Sequence, residues 1–203
     1  MALTIDTSFT KTQEQAIAYL FDKDTTEILF GGAAGGGKSF IGCGWLILSC
    51  IKYPKTRYLM GRSKLDNLKK TTLNTFFEVC ELWGLKADKH YSFNGGSNII
   101  TFYNKSEILL KDLYQYPADP NFDTLGSLEI TGCFVDEANQ ITEKCKNILS
   151  SRIRYKLDKY NIIPKLFLTC NPAKNWTYNE FYKPNKKGDI KEHRKFIQSL
   201  VDD

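Results

Sequence analysis

The residues at positions 27–39, EILFGGAAGGGKS, concentrate the clearest chemistry in the chain. Ile28, Leu29 and Phe30 form a short apolar run of the kind that makes a buried strand. A glycine-rich loop follows, and Lys38 and Ser39 then lead into a second apolar segment from Phe40. Read from Gly32, the residues fit G-x-x-x-x-G-K-[ST], a loop that wraps a polyphosphate in backbone N–H groups. Side chains must be absent or small where backbone approaches phosphate, which Gly32, Ala33, Ala34, Gly35, Gly36 and Gly37 satisfy. The helix expected next turns the positive end of its dipole to the anion. In that arrangement Lys38 reaches the β- and γ-phosphates and the Ser39 hydroxyl ligates Mg2+, with Phe40 completing the nucleotide-binding stretch.

A second constellation is CFVDEA, residues 133–138. Two carboxylates directly after a buried strand are costly unless they handle a cation or a proton. Beside a phosphate loop, Asp136 is expected to hold Mg2+ and Glu137 to polarise the water that attacks the γ-phosphate. An acidic helix start favoured by the helix dipole accounts for Asp136 nearly as well, but not for both carboxylates straight after a core strand.

A third is Thr169-Cys170-Asn171-Pro172, where polar Thr169 and Asn171 end an apolar strand within reach of a γ-phosphate or a lytic water. An ordinary strand-ending turn has the same pattern. Arg62, Arg152 and Arg154 are candidates for stabilising transition-state charge, since the guanidinium stays ionised and planar. Gln13, ahead of the first strand, resembles the glutamine that reads an adenine edge in helicase-like ATPases. Trp176 and Tyr178 read as packing residues, and His90 and His193 suggest no metal site.

These groups need elements to hold them. An amphipathic helix carrying Ala16, Ile17, Leu20 and Phe21, capped by Thr10 or Thr12, precedes the first strand. Residues 39–51 read as a helix buried nearly all round, 57–62 as a core strand delivering Arg62, and 65–82 as one long amphipathic helix. Period-two alternation over 90–113 predicts a hairpin turning at Asn104-Lys105, and 114–125 reads as loop. Strands are expected at 130–135, 165–170 and 195–201, and helix over 138–156. Strands alternating with helices make a mostly parallel sheet with helices on both faces, whose ligands sit at the strands' carboxyl ends. The phosphate loop, Arg62, Asp136-Glu137 and Thr169–Asn171 all fall at that end.

The 203 residues suit one sizeable α/β domain, with 42% hydrophobic and 25% charged residues as in soluble globular proteins. The net charge of +5 is compatible with a polyanionic partner or with a solvated lysine-rich surface. The six cysteines form no C-x-x-C pair, and several lie in apolar runs, so reduced thiols in an intracellular protein are expected. The longest apolar stretch, 40–51, is too short to span a bilayer.

With these motifs placed, the chain resembles the ATPase domain of the large terminase subunit of tailed bacteriophages. The likeness rests on FGGAAGGGKS (30–39), LGSLEITGCFVDEA (125–138), SRIRY (151–155) and LTCNPAKNW (168–176), and covers most of the chain. It implies a P-loop NTPase of RecA-like (ASCE) type, an α/β fold with a mostly parallel central sheet, helices on both faces and an added antiparallel hairpin. It also implies Mg-dependent ATP hydrolysis driving double-stranded DNA into a procapsid in the host cytoplasm. Implied partners are a portal protein, a small terminase subunit and further copies in a ring, a pentamer when assembled. Position by position, Lys38 and Ser39 become the phosphate-loop pair, Asp136 the metal-side carboxylate, Glu137 the catalytic one and residues 169–172 the coupling motif. A nuclease domain of RNase H-like fold follows in such proteins, so 1–203 is expected to be a single motor domain without it.

The chain departs from the family in its arginines. Some members carry one within the phosphate loop, where Ala33 and Ala34 stand, and others shortly before the acidic strand, at Thr124-Leu125-Gly126. The arginine finger is therefore open among Arg62, Arg152 and Arg154, acting in the same subunit or across a ring boundary. Two alternatives stay beside this reading: another DNA-stimulated helicase-like ATPase, and a small-molecule phosphotransferase. The second should need an acceptor pocket and a lid, and no acidic pair followed by T-x-N-P.

Overall fold

Side chains alternating across the strands divide the core in two. Ile28 and Phe30 join Tyr58, Met60, Phe134 and Phe167 on one face of the sheet. Leu29 joins Leu59, Cys133, Val135, Leu166 and Leu168 on the other, as the period of two requires. Strands buried on both faces are those of a parallel sheet covered by helices. The computed structural model describes residues 8–32 and 37–199; Ala33, Ala34, Gly35 and Gly36 of the phosphate loop lie outside them.

Among the described residues the sheet has eight strands: β1 (Glu27–Gly32), β2 (Arg57–Arg62), β3 (Tyr91–Asn94), β4 (Ile99–Phe102), β5 (Glu107–Asp112), β6 (Gly132–Val135), β7 (Leu166–Cys170) and β8 (Arg194–Ser199). Their order is β3-β4-β5-β2-β6-β7-β1-β8. From β5 to β8 every pairing is parallel. The pairs β3–β4 and β4–β5 are antiparallel, so the predicted hairpin is a three-strand meander whose last strand also joins the parallel sheet. Against one face lie α1 (Lys11–Phe21), α2 (Lys38–Lys52), α3 (Leu65–Lys70) and α4 (Thr72–Leu82). Against the other lie α5 (Asp123–Gly126), α6 (Glu143–Arg152) and a π-helical turn at Tyr178–Tyr182; α7 (Leu157–Tyr160) and α8 (Lys183–Lys187) are short connectors. This is the α/β architecture expected.

Three expectations need correction. The helix read over 65–82 breaks at Thr71, whose backbone leaves the helical region at φ −126°, ψ −79°. The threonine hydroxyl is held from both sides at the break, donating to Asn67 O at 2.7 Å and accepting from Arg62. Residues 138–156 are not one helix. A 3-10 turn (Ala138–Gln140) precedes an N-cap at Thr142, which accepts from the Cys145 amide at 3.2 Å, and α6 ends at Arg152. Finally, the 114–125 loop closes into α5 after Phe122 adopts a left-handed conformation.

At the amino ends of the strands, buried charges are paired. Glu27 accepts from Arg194 at 2.6 Å, and Glu180 accepts from Lys146 at 2.9 Å and Arg194 at 3.1 Å. This network fastens α6 and the π turn to the first residues of β1 and β8. All six cysteines are buried and free. Among the described residues no helix is long and apolar enough to cross a membrane.

Lys165, just before β7, anchors the end of α1 by donating to Asp22 at 2.7 Å, Tyr19 O at 2.8 Å and Thr25 O at 2.6 Å. Burial alone would raise the Asp22 carboxyl. The Lys165 ammonium and the Thr25 and Asp24 donors outweigh it and hold the group at about 2. Burial also pulls Lys165 below its ordinary value, against the pull of Asp22, so the pair stabilises by less than the aspartate alone suggests. A folded value below the ordinary 3.8 means that the contribution is complete above that pH and is lost as pH falls towards about 2. We expect chemical denaturation to show a loss of about 2 kcal/mol at most over that window. Asp22→Asn should remove this pH dependence.

Candidate active site

The strand order converts distant motifs into one site. Because β7 lies between β1 and β6, the ends of the phosphate-loop strand, the T-x-N-P strand and the acidic strand stand side by side. Asp136 follows β6 directly and its amide donates to Gly61 O at 2.9 Å, which fixes it beside the end of β2.

The Asp136 carboxylate is 5% exposed and is held by hydroxyls. Thr169, from the end of β7, donates to Oδ1 at 2.6 Å, and Thr72, from the start of α4, donates to Oδ2 at 2.6 Å. Ser39, from the first turn of α2, lies 3.1 Å from Oδ1 and 3.2 Å from Oδ2. A buried carboxylate adjoining a serine hydroxyl is a donor set of hard oxygens. It suits Mg2+, which takes one or two protein oxygens and completes its shell with water and phosphate. The described residues contain no cluster of three or more His, Cys, Asp or Glu that could form an all-protein cage.

Glu137 takes a left-handed conformation, φ 54°, ψ 48°, which turns the chain sharply after the strand. Its carboxylate accepts from Asn171 Nδ2 at 3.2 Å, so Asn171 orients it. Burial pushes the Glu137 carboxyl above its ordinary value and the Asp136 charge adds to this, while Arg62 and Lys38 oppose it. A glutamate raised in this way is a stronger proton acceptor than an ordinary carboxylate. The following segments are pinned together: Asn175 donates to Asn139 O and Trp176 Nε1 to Ile141 O, both at 2.8 Å.

Lys38 is 8% exposed and its ammonium donates to Gly32 O at 3.3 Å, across the loop that the two residues bracket. Gly37 caps α2 in the left-handed region, φ 61°, and Gln13 packs against it. Gln13 is 7% exposed; its Oε1 accepts from the Thr10 amide at 3.1 Å in a capping box that starts α1. Phe40 meets Trp83 edge-on, with ring centroids 6.2 Å apart.

The three arginines separate. Arg62 ends β2 beside the carboxylates, donates to Thr71 Oγ1, and has a buried Nε without a hydrogen-bond partner. Arg152 donates to Gly126 O at 2.7 Å, and Arg154 pairs with Glu129 at 3.1 Å. Both border the Ile130–Ile153 bridge at the amino end of β6, the opposite end of the strand from Asp136, so neither reaches this site within one chain. Thr72 was not singled out by motif. Its only sequence signal is the Thr71-Thr72 pair, two β-branched hydroxyl residues inside an apolar helical pattern.

A cavity of about 440 Å3 adjoins the site on the α6 face, between Gly31, Gly32, Pro172 and the stacked rings of Tyr178 and Tyr182. Lys38, Ser39, Asp136 and Glu137 do not line it.

A family model described as phage terminase large subunit matches residues 23–201. Among solved structures, the large terminase of the thermophilic bacteriophage D6E in complex with ADP is similar with a TM-score of 0.72 at 18% identity, over 97% of this chain and 46% of that one. The large terminase ATPase domain of Thermus phage P74-26 is similar with a TM-score of 0.62 at 12% identity, over 94% of this chain and 80% of that one. The N-terminal domain of the DNA packaging ATPase from bacteriophage phi29 has a TM-score of 0.60 at 14% identity, over 92% and 93%. At these identities the likeness carries the fold. This chain spans about half the length of the D6E protein, 47% in another crystal form. No curated protein sequence is significantly similar to it.

Two glycines of the loop should respond differently to substitution. A Cβ at Gly32, where φ is +150°, would stand 2.1 Å from the backbone oxygen of Ser199, which no side-chain rotation relieves. A Cβ at Gly37 would meet the side-chain amide of Gln13, at 2.2 Å, rather than backbone. Thermal unfolding should show Gly32→Ala losing about 2 kcal/mol or more. Gly37→Ala should lose about 1 kcal/mol, set by the left-handed backbone.

Proposed function

The chain belongs to the phage terminase large subunit family, and from that membership we propose that it hydrolyses Mg-ATP to move double-stranded DNA into a procapsid. The observation that carries the reading is the Ser39–Asp136 contact, 3.1 Å between the hydroxyl after the phosphate loop and the carboxylate after β6, with Glu137 next in the chain. Those are the groups needed to hold a metal on a nucleoside triphosphate and to activate water beside it.

In this mechanism the glycine-rich loop would cradle the phosphates and Lys38 would leave Gly32 O to meet the β- and γ-oxygens. Ser39 and Asp136 would hold the magnesium. When bound, Mg2+ draws off negative charge from the phosphate oxygens. Glu137, oriented by Asn171 and raised by burial, accepts the proton of the attacking water. Thr169 donates to the metal-side carboxylate while Asn171, just after β7, donates to the catalytic one, so the end of β7 is the natural place to carry a change at the γ-phosphate outward. Gln13 contributes to the nucleotide pocket from the α1 side.

Arg62 serves the developing charge from within the chain, and Arg152 or Arg154 would serve only a neighbouring subunit's site. The remaining proposals follow the family: a portal protein and a small terminase subunit as partners, a pentameric ring at work, action in the host cytoplasm, and a nuclease domain housed elsewhere in the whole protein. Residues 1–203 act as one motor domain.

Phosphate release from ATP, measured with and without double-stranded DNA, tests this reading. We expect water to be the acceptor and DNA to stimulate turnover. Lys38→Ala and Glu137→Ala should each lower hydrolysis at least about 100-fold, with nucleotide binding retained in Glu137→Ala. Normal hydrolysis by Glu137→Ala would remove it as the base, and absence of ATP binding by the unaltered chain would end the proposal. Turnover rising with protein concentration would support an arginine donated between subunits.

A further inference from the structure

The two lone-pair sites on each Asp136 oxygen are filled unequally. Thr169 and Thr72 each donate a whole hydroxyl to one oxygen at 2.6 Å, at the short end for O–H···O bonds. Ser39 has one hydroxyl proton for two oxygens at 3.1 and 3.2 Å, so its bond is shared and long. When the Ser39 hydroxyl turns to a metal, the two threonines are what keep the carboxylate in place. Thr169 comes from a motif legible in the sequence; Thr72 does not.

The local backbone is shaped to free Thr72 for this contact. In a continuous helix a threonine hydroxyl turns back to the carbonyl four residues earlier, as Thr71 does to Asn67 O at 2.7 Å. The break at Thr71 instead makes Thr72 the first residue of α4, 1% exposed, with its hydroxyl aimed at Asp136. Its carbonyl accepts from Cys43 Sγ at 3.5 Å, which ties the same residue to α2, the helix that carries Ser39. Arg62 braces the other side of the break through Thr71 Oγ1.

We infer that Thr72 is a positioning residue for the metal-side carboxylate, fixing the orientation in which Asp136 faces the divalent cation of a bound nucleotide. This rests on the nucleotide-hydrolysing reading above. The threonine touches neither substrate nor metal and acts through Asp136. A bond of this kind, to the group that holds a metal, governs metal affinity more than nucleotide affinity.

The test is Mn2+ titration of the chain's ADP complex, followed by electron paramagnetic resonance, beside ADP affinity measured in EDTA. Thr72→Val keeps the shape and deletes the hydroxyl; it should weaken Mn2+ about 10-fold or more. ADP affinity without metal should stay within about twofold, and Thr72→Ser should restore Mn2+ binding. If the valine variant fails to fold by circular dichroism, Thr72→Ala deletes the same hydroxyl and is judged by the same criteria. A folded hydroxyl-free variant that binds Mn2+ like the unaltered chain overturns the inference, as does a serine variant that loses as much affinity as valine. Either result leaves the proposed function standing. Failure of the unaltered chain to bind Mn2+ with ADP would overturn that function instead, and this inference with it.

Discussion

A buried carboxylate has to be satisfied by its neighbours, and at Asp136 this requirement joins four separate pieces of chain. The hydroxyls that reach it come from the first turn of α2, the start of α4 and the end of β7, while its own backbone is bonded to β2. Leaving a buried ionised group with an empty position costs on the order of 1–3 kcal/mol or more. The four elements are therefore held in mutual register at one point. That point coincides with the carboxyl ends of parallel strands, where an open α/β sheet leaves room for a ligand.

Placement of β7 between β1 and β6 gives this constraint its chemical use. A strand inserted there reaches the acidic residues with two side chains, Thr169 on Asp136 and Asn171 on Glu137. The carboxylates are next to each other in the chain yet sit in different surroundings, because the left-handed turn at Glu137 separates them. Asp136 is sunk among hydroxyls. Glu137 is partly exposed, and burial and the adjacent charge raise its proton affinity against the pull of Arg62 and Lys38. In the proposed mechanism it is environment, not residue type, that divides metal holding from proton transfer.

The opposite end of the sheet is built for rigidity. Glu27, Lys146, Glu180 and Arg194 neutralise one another beneath α6 and the π turn. Removing one member would strand a buried charge, at a cost of about 3–5 kcal/mol. Both elements so anchored lead away from the site, α6 after Glu137 and the π turn after Asn171.

What the sequence by itself determined is what local rules govern. Glycine spacing before Lys38-Ser39, the apolar run before Asp136-Glu137 and the strand ending at Asn171-Pro172 each state a local conformation and the residue types available there, and alternating strands and helices state a mostly parallel sheet. The antiparallel meander was visible in its period-two pattern, though not its third strand. Helix bounds near hydroxyl residues were not legible, because a threonine suits either a helix interior or its end: Thr142 caps α6 through the Cys145 amide, while Thr71 bonds to Asn67 O and Arg62 at the break. Arg62, at the end of its strand, was already legible at the carboxyl ends of the sheet. The tertiary structure alone placed Arg152 and Arg154 at the amino end of β6, away from the carboxylates. It alone revealed Thr72, whose bond to Asp136 spans 64 positions of sequence. A hydrogen bond depends on where two atoms meet in space, and no local pattern in the chain records such a meeting.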